Sequence, residues 1–226
     1  QGKGLDLANM TLSARYQQRE LGLSADVGDV QVDYSPYTLS GLARRGGVVG
    51  AQYGSGEIQA FNLRSAQEYG FSHGLGIGGD RDTHISGASA GLRMLDDRIA
   101  LSGLYASGGE QGSSFGIGTL PEQRRGSVAG LSLDARFWPD LLQAELDLGW
   151  SDYDPDTTDQ FDAERDHSIL AGLSGGYSRY RYQASYERVG RDYRVIGNDG
   201  VLPDREGGLL RVEADFDGHG VYAAYT

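Results

Sequence analysis

The stretch VAGLSLDARFWPDLLQAELDLGW, residues 128–150, decides the fold class. On its first arm Ala129, Leu131, Leu133, Ala135 and Phe137 fall on alternate positions, and Val128, Gly130, Ser132, Asp134 and Arg136 fall between them. Trp138-Pro139-Asp140 interrupts the pattern, and it then resumes. Leu142, Ala144, Leu146, Leu148 and Trp150 share one set; Gln143, Glu145, Asp147, Gly149 and Ser151 share the other. A helix would mix these sets around its circumference. A strand separates them, because successive side chains point to opposite faces. The reading is a β-hairpin with one apolar and one polar face.

The same plan recurs along the chain. Met10, Leu12, Ala14 and Tyr16 alternate with Asn9, Thr11, Ser13 and Arg15, and after 17–20 Leu21, Leu23, Ala25 and Val27 alternate with Gly22, Ser24, Asp26 and Gly28. Further strand pairs are predicted at 47–53 and 57–63, 84–94 and 98–107, 167–178 and 181–189, and 208–216 and 220–226. Their turns are Gly54-Ser55-Gly56, Leu95-Asp96-Asp97, Arg179-Tyr180 and Asp217-Gly218-His219. Gly, Asn and Asp supply the positive φ that tight hairpins demand. The turn centres, near 18, 55, 96, 139, 180 and 218, are spaced by about 37 to 43 residues, a regular hairpin repeat. Longer polar segments join the hairpins at 29–46, 64–83, 108–126, 152–166 and 190–207. Two pairs read poorly. Phe61 and Leu63 oppose Ile58 and Ala60, and 84–94 is small and Gly-rich on both faces, as if packed against other strands or a plug.

Composition narrows the function classes. The 226 residues suit one all-β domain, 1–226. With no Cys there is no disulfide framework and no thiolate metal site. A net charge of -12 argues against nucleic acid as a partner. No run nears the roughly 18 apolar residues of a membrane helix. Barrel strands, however, alternate lipid-facing and lumen-facing residues, so a mean hydropathy of -0.45 is compatible with a membrane barrel. Tyr16, Tyr53, Tyr105, Phe137, Trp150, Tyr177 and Phe216 fall near strand ends on the more apolar face, where interfacial aromatic girdles sit.

Short turns alternating with long loops over nearly the whole chain resemble the Gram-negative outer-membrane β-barrel superfamily. The resemblance implies an antiparallel up-and-down transmembrane barrel of about 12 strands, embedded in outer-membrane lipid and lipopolysaccharide. Gly28-Asp29, Leu39-Ser40-Gly41 and Arg45-Gly46 also resemble strand-and-loop sequence of large secretion and assembly barrels, such as fimbrial ushers and gliding-associated translocons. Six turns joined by five long loops put both chain ends on the long-loop side. The final Tyr225-Thr226 lacks the terminal aromatic common in the superfamily, and the chain opens on Gln1 rather than Met. The expectation is a processed or excerpted chain, with strands missing from a larger barrel or with residues 1–7 running back through the lumen.

The face opposite the apolar one carries both signs of charge. Asp134, Arg136, Glu145, Asp147, Glu187, Arg211 and Glu213 are the candidate pore lining, with Arg15, Asp26, Arg93 and Asp215 on the same face. Two functions follow. Charged rings could line a pore or translocation conduit. Alternatively, cross-strand Arg–carboxylate pairs could knit the lumen shut, leaving a structural barrel that holds a partner in its plugged lumen or at its loops. Asp152, Asp154 and Asp156 could wrap a Ca²⁺, but Thr157 and Ala163 stand where an EF-hand needs Gly and Glu, and acidic runs are usually solvated loops. His73, His84, His167 and His219 have no Ser or Asp placed beside them by any motif, and Gly74-Leu75-Gly76-Ile77-Gly78-Gly79 lacks the Lys-Ser/Thr of a phosphate loop. The chain is therefore read as a non-enzyme without a cofactor. A soluble β-rich adhesin or sandwich is the outside alternative.

Overall fold

A computed structural model describes residues 10–67, 74–111, 123–138, 141–216 and 219–225. Among these residues twelve strands form one antiparallel sheet in strict chain order. They are β1 (Thr11–Gln18), β2 (Leu21–Val32), β3 (Leu42–Tyr53), β4 (Gly56–Arg64), β5 (His84–Met94), β6 (Ile99–Gln111), β7 (Gln123–Phe137), β8 (Leu142–Asp154), β9 (Glu164–Tyr177), β10 (Tyr180–Val189), β11 (Arg205–Phe216) and β12 (His219–Tyr225). Each strand pairs with its neighbours in sequence; β1 and β12 do not pair with one another among the described residues.

The hairpin ends match the sequence pattern. Positive φ occurs at Arg19, Gly54, Asp96, Trp138 and Ser178, the sites where the chain reverses most tightly. The opposite ends differ from it. Strand pairing continues past the alternating residues, so β3 begins at Leu42, β6 runs to Gln111, β7 begins at Gln123 and β11 at Arg205. Backbone ladders need no apolar face, and polar residues extend them wherever a neighbouring strand is present. The connecting segments are correspondingly shorter than the polar segments suggest. The last turn, at Asp217 and Gly218, and residues 1–7 lie outside the described residues.

Register assigns every side chain to one of two faces. On the outer face, cross-strand rows read Tyr16↔Leu23↔Ala51↔Ile58↔Ala90 and Ala129↔Trp150↔His167. On the inner face they read Val48↔Phe61↔Gly87↔Ala106↔Val128 and Ser102↔Ser132↔Asp147. This explains the unclean strand at 57–63. Ile58 is exposed on the outer face, whereas Phe61 and Leu63 are buried on the inner one. Both faces of this strand therefore carry apolar residues, and only the inner ones are buried.

What covers the inner face is the chain itself. Segment 33–41, between β2 and β3, and segment 190–204, between β10 and β11, fold over it. Tyr37, Leu39, Tyr193, Val195 and Ile196 from these segments bury against Val30, Val32, Leu42, Phe61, Leu63, Ile85, Leu104, Val128 and Val189 from the strands. Small residues make the approach possible. A side chain at Gly130 would strike Thr38, and one at Gly149 would strike the Tyr193 ring. Gly197 lies against both Ile85 on β5 and Leu42 on β3. In a flat sheet β3 and β10 would stand about 34 Å apart, at roughly 4.8 Å per strand. A segment leaving β10 reaches β3 because the sheet is curled around the two inserted loops.

Burying each large apolar side chain in this cluster contributes about 1.5–3 kcal/mol. Tyr193 is its largest fully buried member. Tyr193→Ala is expected to lower unfolding free energy by about 3–5 kcal/mol, the usual cost of truncating a buried aromatic. Urea titration followed by near-ultraviolet circular dichroism checks this; a change below about 1 kcal/mol would mean that the inserted loops do not contribute to the core.

Candidate functional site

The two inserted loops divide the inner face into a covered end and an open end. At the covered end they are tied to each other. The Asn198 side-chain amide donates to the carbonyls of Pro36 (3.2 Å) and Thr38 (2.7 Å). The Tyr193 hydroxyl donates to the Tyr37 carbonyl at 2.5 Å. These bonds join residues that are far apart in sequence, and two of the carbonyls they satisfy belong to the buried Tyr37 and Thr38. Burial pushes the Tyr193 phenol up to about 12, and burial followed by the neighbouring Glu187 carboxylate does the same to Tyr37, also to about 12.

Towards the hairpin turns the inner face is polar and open. Arg15 and Asp26 pair at 2.8 Å across β1 and β2, and Arg93 and Glu57 approach to 3.6 Å across β4 and β5. Tyr34, from the inserted loop, donates its hydroxyl to Ser102 Oγ at 3.1 Å and so roofs this region. Beneath it lies a recess of about 480 Å³, lined by Gln17, Gln52, Gln59, Ser89 and Ser102 among others. A second recess of about 230 Å³ lies on the inner side of β7–β10, beside Asp134, Arg136, Glu145 and Gln183.

The charged residues singled out from the sequence share this face but do not form one ring. Asp134 stands opposite Glu145 across β7 and β8, and Arg136 opposite Gln143. Asp147 accepts a hydrogen bond from Ser132. Arg211 pairs with Glu213 two residues along its own strand. Glu187 is set apart. It pairs with Arg205 at 2.8 Å at the covered end, beside the Tyr37 loop.

The acidic segment does not gather into a cation site. Asp152 is held by Arg165 at 2.7 Å. Asp154 accepts the Asp156 amide, and Asp156 accepts the amide and hydroxyl of Thr158, which holds its carboxyl below the usual carboxylate range. The carboxylates therefore cap their own turns, and among the described residues no group of three or more His, Asp or Glu converges as a metal site. His84 is buried, with Nδ1 3.0 Å from the hydroxyl of its neighbour Thr83 and 3.1 Å from the Asp80 carbonyl. His167 Nδ1 lies 3.4 Å from the Asp166 carboxylate. His73 and the His219 side chain lie outside the described residues. Gly76 and Gly78 of the Gly-rich segment pack against Arg45 and His84, and Gly78 exchanges two 3.0 Å hydrogen bonds with the Asn62 side chain.

The outer face is the converse of the inner one. Near the turns it exposes Tyr16, Tyr53, Phe137, Trp138, Tyr177, Tyr180 and Phe216, and further along Tyr105, Trp150 and Tyr186. Between the two levels Leu101, Leu131, Leu173 and Leu210 are exposed as well. From Phe137 to Ala129, the neighbour of both Tyr105 and Trp150, is about 27 Å along the strand at roughly 3.4 Å per residue. Among the described residues no helix is long and apolar enough to cross a membrane, which says nothing of strands that cross. Compared with protein-family models, curated proteins and solved structures, the chain matches none.

The residues that cap the inner face were not distinguished by alternation. Their signal is apolar content inside otherwise polar loops, as in Tyr34-Ser35-Pro36-Tyr37-Thr38-Leu39 and Tyr193-Arg194-Val195-Ile196. Their tyrosines also make the cap sensitive to alkali. The folded state holds the Tyr37 and Tyr193 protons to about 12 while an unfolded chain releases them near 10, so stability falls as pH rises from about 10 to about 12. Phenolate absorbance is expected to show these two tyrosines titrating last, and the lag is expected to shorten in Tyr37→Phe/Tyr193→Phe. Titration of all tyrosines together near 10 would show the loops already released.

Proposed function

We propose that this chain is an outer-membrane β-barrel of the capped kind, a structural barrel whose inner face is closed by its own loops at the long-loop end and which holds a partner or presents its loops at the cell surface. The observation that carries this reading is the apolar cap formed by 33–41 and 190–204 over the inner ends of β2–β10. An open diffusion pore keeps its inner face wet along its whole length. Here the inner face turns apolar and fills.

Membrane insertion is supported by the outer face. It exposes large apolar side chains between two aromatic levels, a pattern that suits lipid contact with anchoring at each interface. Lipid also constrains the sheet edges, because unpaired backbone groups cannot remain in hydrocarbon. In this reading β1 and β12 are paired in the membrane, with each other in a 12-stranded barrel or with further strands of a larger one. β1 and β12 run antiparallel, as either closure requires. The conduit reading keeps one point in its favour, the polar recesses below the cap; it requires the inserted loops to leave.

Two measurements test the proposal. In Trp138→Phe, fluorescence from Trp150 is expected to be quenched by brominated lipid in reconstituted vesicles. Absence of quenching, with a monodisperse chain in detergent-free buffer, would favour a soluble β-sheet protein. In planar bilayers the chain is expected to show no stable conductance steps; reproducible steps would overturn the capped reading in favour of a conduit.

A further inference from the structure

The recess beneath Tyr34 has a chemistry that neither a pore lining nor a structural barrel requires. Its volume, about 480 Å³, falls within the roughly 300–1,000 Å³ typical of small-molecule sites. The charges at its margin are neutralised in pairs, Arg15 with Asp26 and Arg93 with Glu57. Asp33 accepts the Gly41 amide at 3.2 Å and is engaged in shaping its own loop. What remains to face a ligand is a set of neutral groups. The side chains of Gln52, Gln59 and Ser89 make no hydrogen bond among the described residues, the Gln17 amide donates to the Arg19 carbonyl, and the hydroxyls of Tyr34 and Ser102 meet each other.

Side-chain amides and hydroxyls both donate and accept. They match a ligand whose own groups do the same. With the other charges paired and Asp33 left as a carboxylate, the field does not draw in an anion. An acyl chain would strand these polar groups without partners, at about 1–3 kcal/mol each. An extended peptide gains most from an open strand edge rather than from the face of a sheet. We infer that the inner face of β1–β6 beneath Tyr34 is a binding site for a neutral, hydroxyl-rich ligand, a short glycan segment. The loop that closes the covered end thus also roofs the site, and the ligand enters from the hairpin-turn side. The inference rests on the inner face and its cap and is independent of whether the outer face meets lipid.

The test uses the purified chain in detergent and titrates maltotriose, cellotriose and chitotriose at millimolar concentration by saturation-transfer NMR. At least one is expected to bind. The exposed pair Gln52→Leu/Gln59→Leu removes both amides and is expected to weaken binding by about tenfold or more, as losing hydrogen bonds to a neutral ligand does. Gln143→Leu, in the separate recess on β7–β10, is expected to leave binding unchanged. Near-ultraviolet circular dichroism of each variant shows whether its fold is kept. Binding by none of the three sugars, equal binding by the Gln52→Leu/Gln59→Leu variant, or tighter binding of a sugar phosphate or of a peptide would overturn the assignment. An unquenched Trp150 would leave it standing, so its failure is distinguishable from failure of the membrane reading.

Discussion

The hydrogen bonds between the two inserted loops, Asn198 to Pro36 and Thr38 and Tyr193 to Tyr37, are the constraint on which the arrangement turns. Each such bond is worth only about 1 kcal/mol net, but leaving the carbonyl of buried Tyr37 or Thr38 unpaired would cost about 1–3 kcal/mol. The asymmetry makes the two loops interdependent. Segment 33–41 cannot bury its backbone on the inner face without donors from 190–204, and the latter needs the apolar floor of β3, β5 and β7. Because the loops enter from strands far apart in the sheet, their contact sets how far the sheet must curl.

Everything else on the inner face follows from where that contact ends. On the covered side Phe61, Leu63, Ile85 and Val128 are buried by the loops; on the open side the same strands present Gln59, Ser89 and Asp134. The outer face is indifferent to the cap. Its apolar residues are set by register alone, and Tyr53, Tyr105 and Tyr177 are exposed whatever fills the inside. A single meander thereby carries two separable properties, an apolar exterior and a half-filled interior.

Much of this was legible in the chain. The alternation at 128–150 assigned the two faces of β7 and β8 residue by residue, and the register agrees with it, Leu131 opposite Leu148 and Asp134 opposite Glu145. The hairpin spacing placed the tight turns. What lies over Phe61, Leu63 and Glu187 stayed open, between a plug and a pore, because period 2 reports which face a residue takes and not what lies over that face. Asp152, Asp154 and Asp156 read as a solvated loop with a cation cradle as the lesser alternative, and spacing does not show that Asp152 meets Arg165 while the other two cap turns.

The sequence by itself therefore determined an all-β, antiparallel, two-faced meander, because strand periodicity, turn residues and loop spacing are local properties encoded within a few residues of one another. Only the tertiary structure decided that the inner face is capped. That outcome depends on contacts between segments such as 33–41 and 190–204, which are remote in the chain and meet only once the sheet has curled. A buried loop and a solvated loop can share a composition. What separates them is whether a floor of the right shape, here small residues such as Gly130 and Gly149 beneath Thr38 and Tyr193, is waiting on the other side.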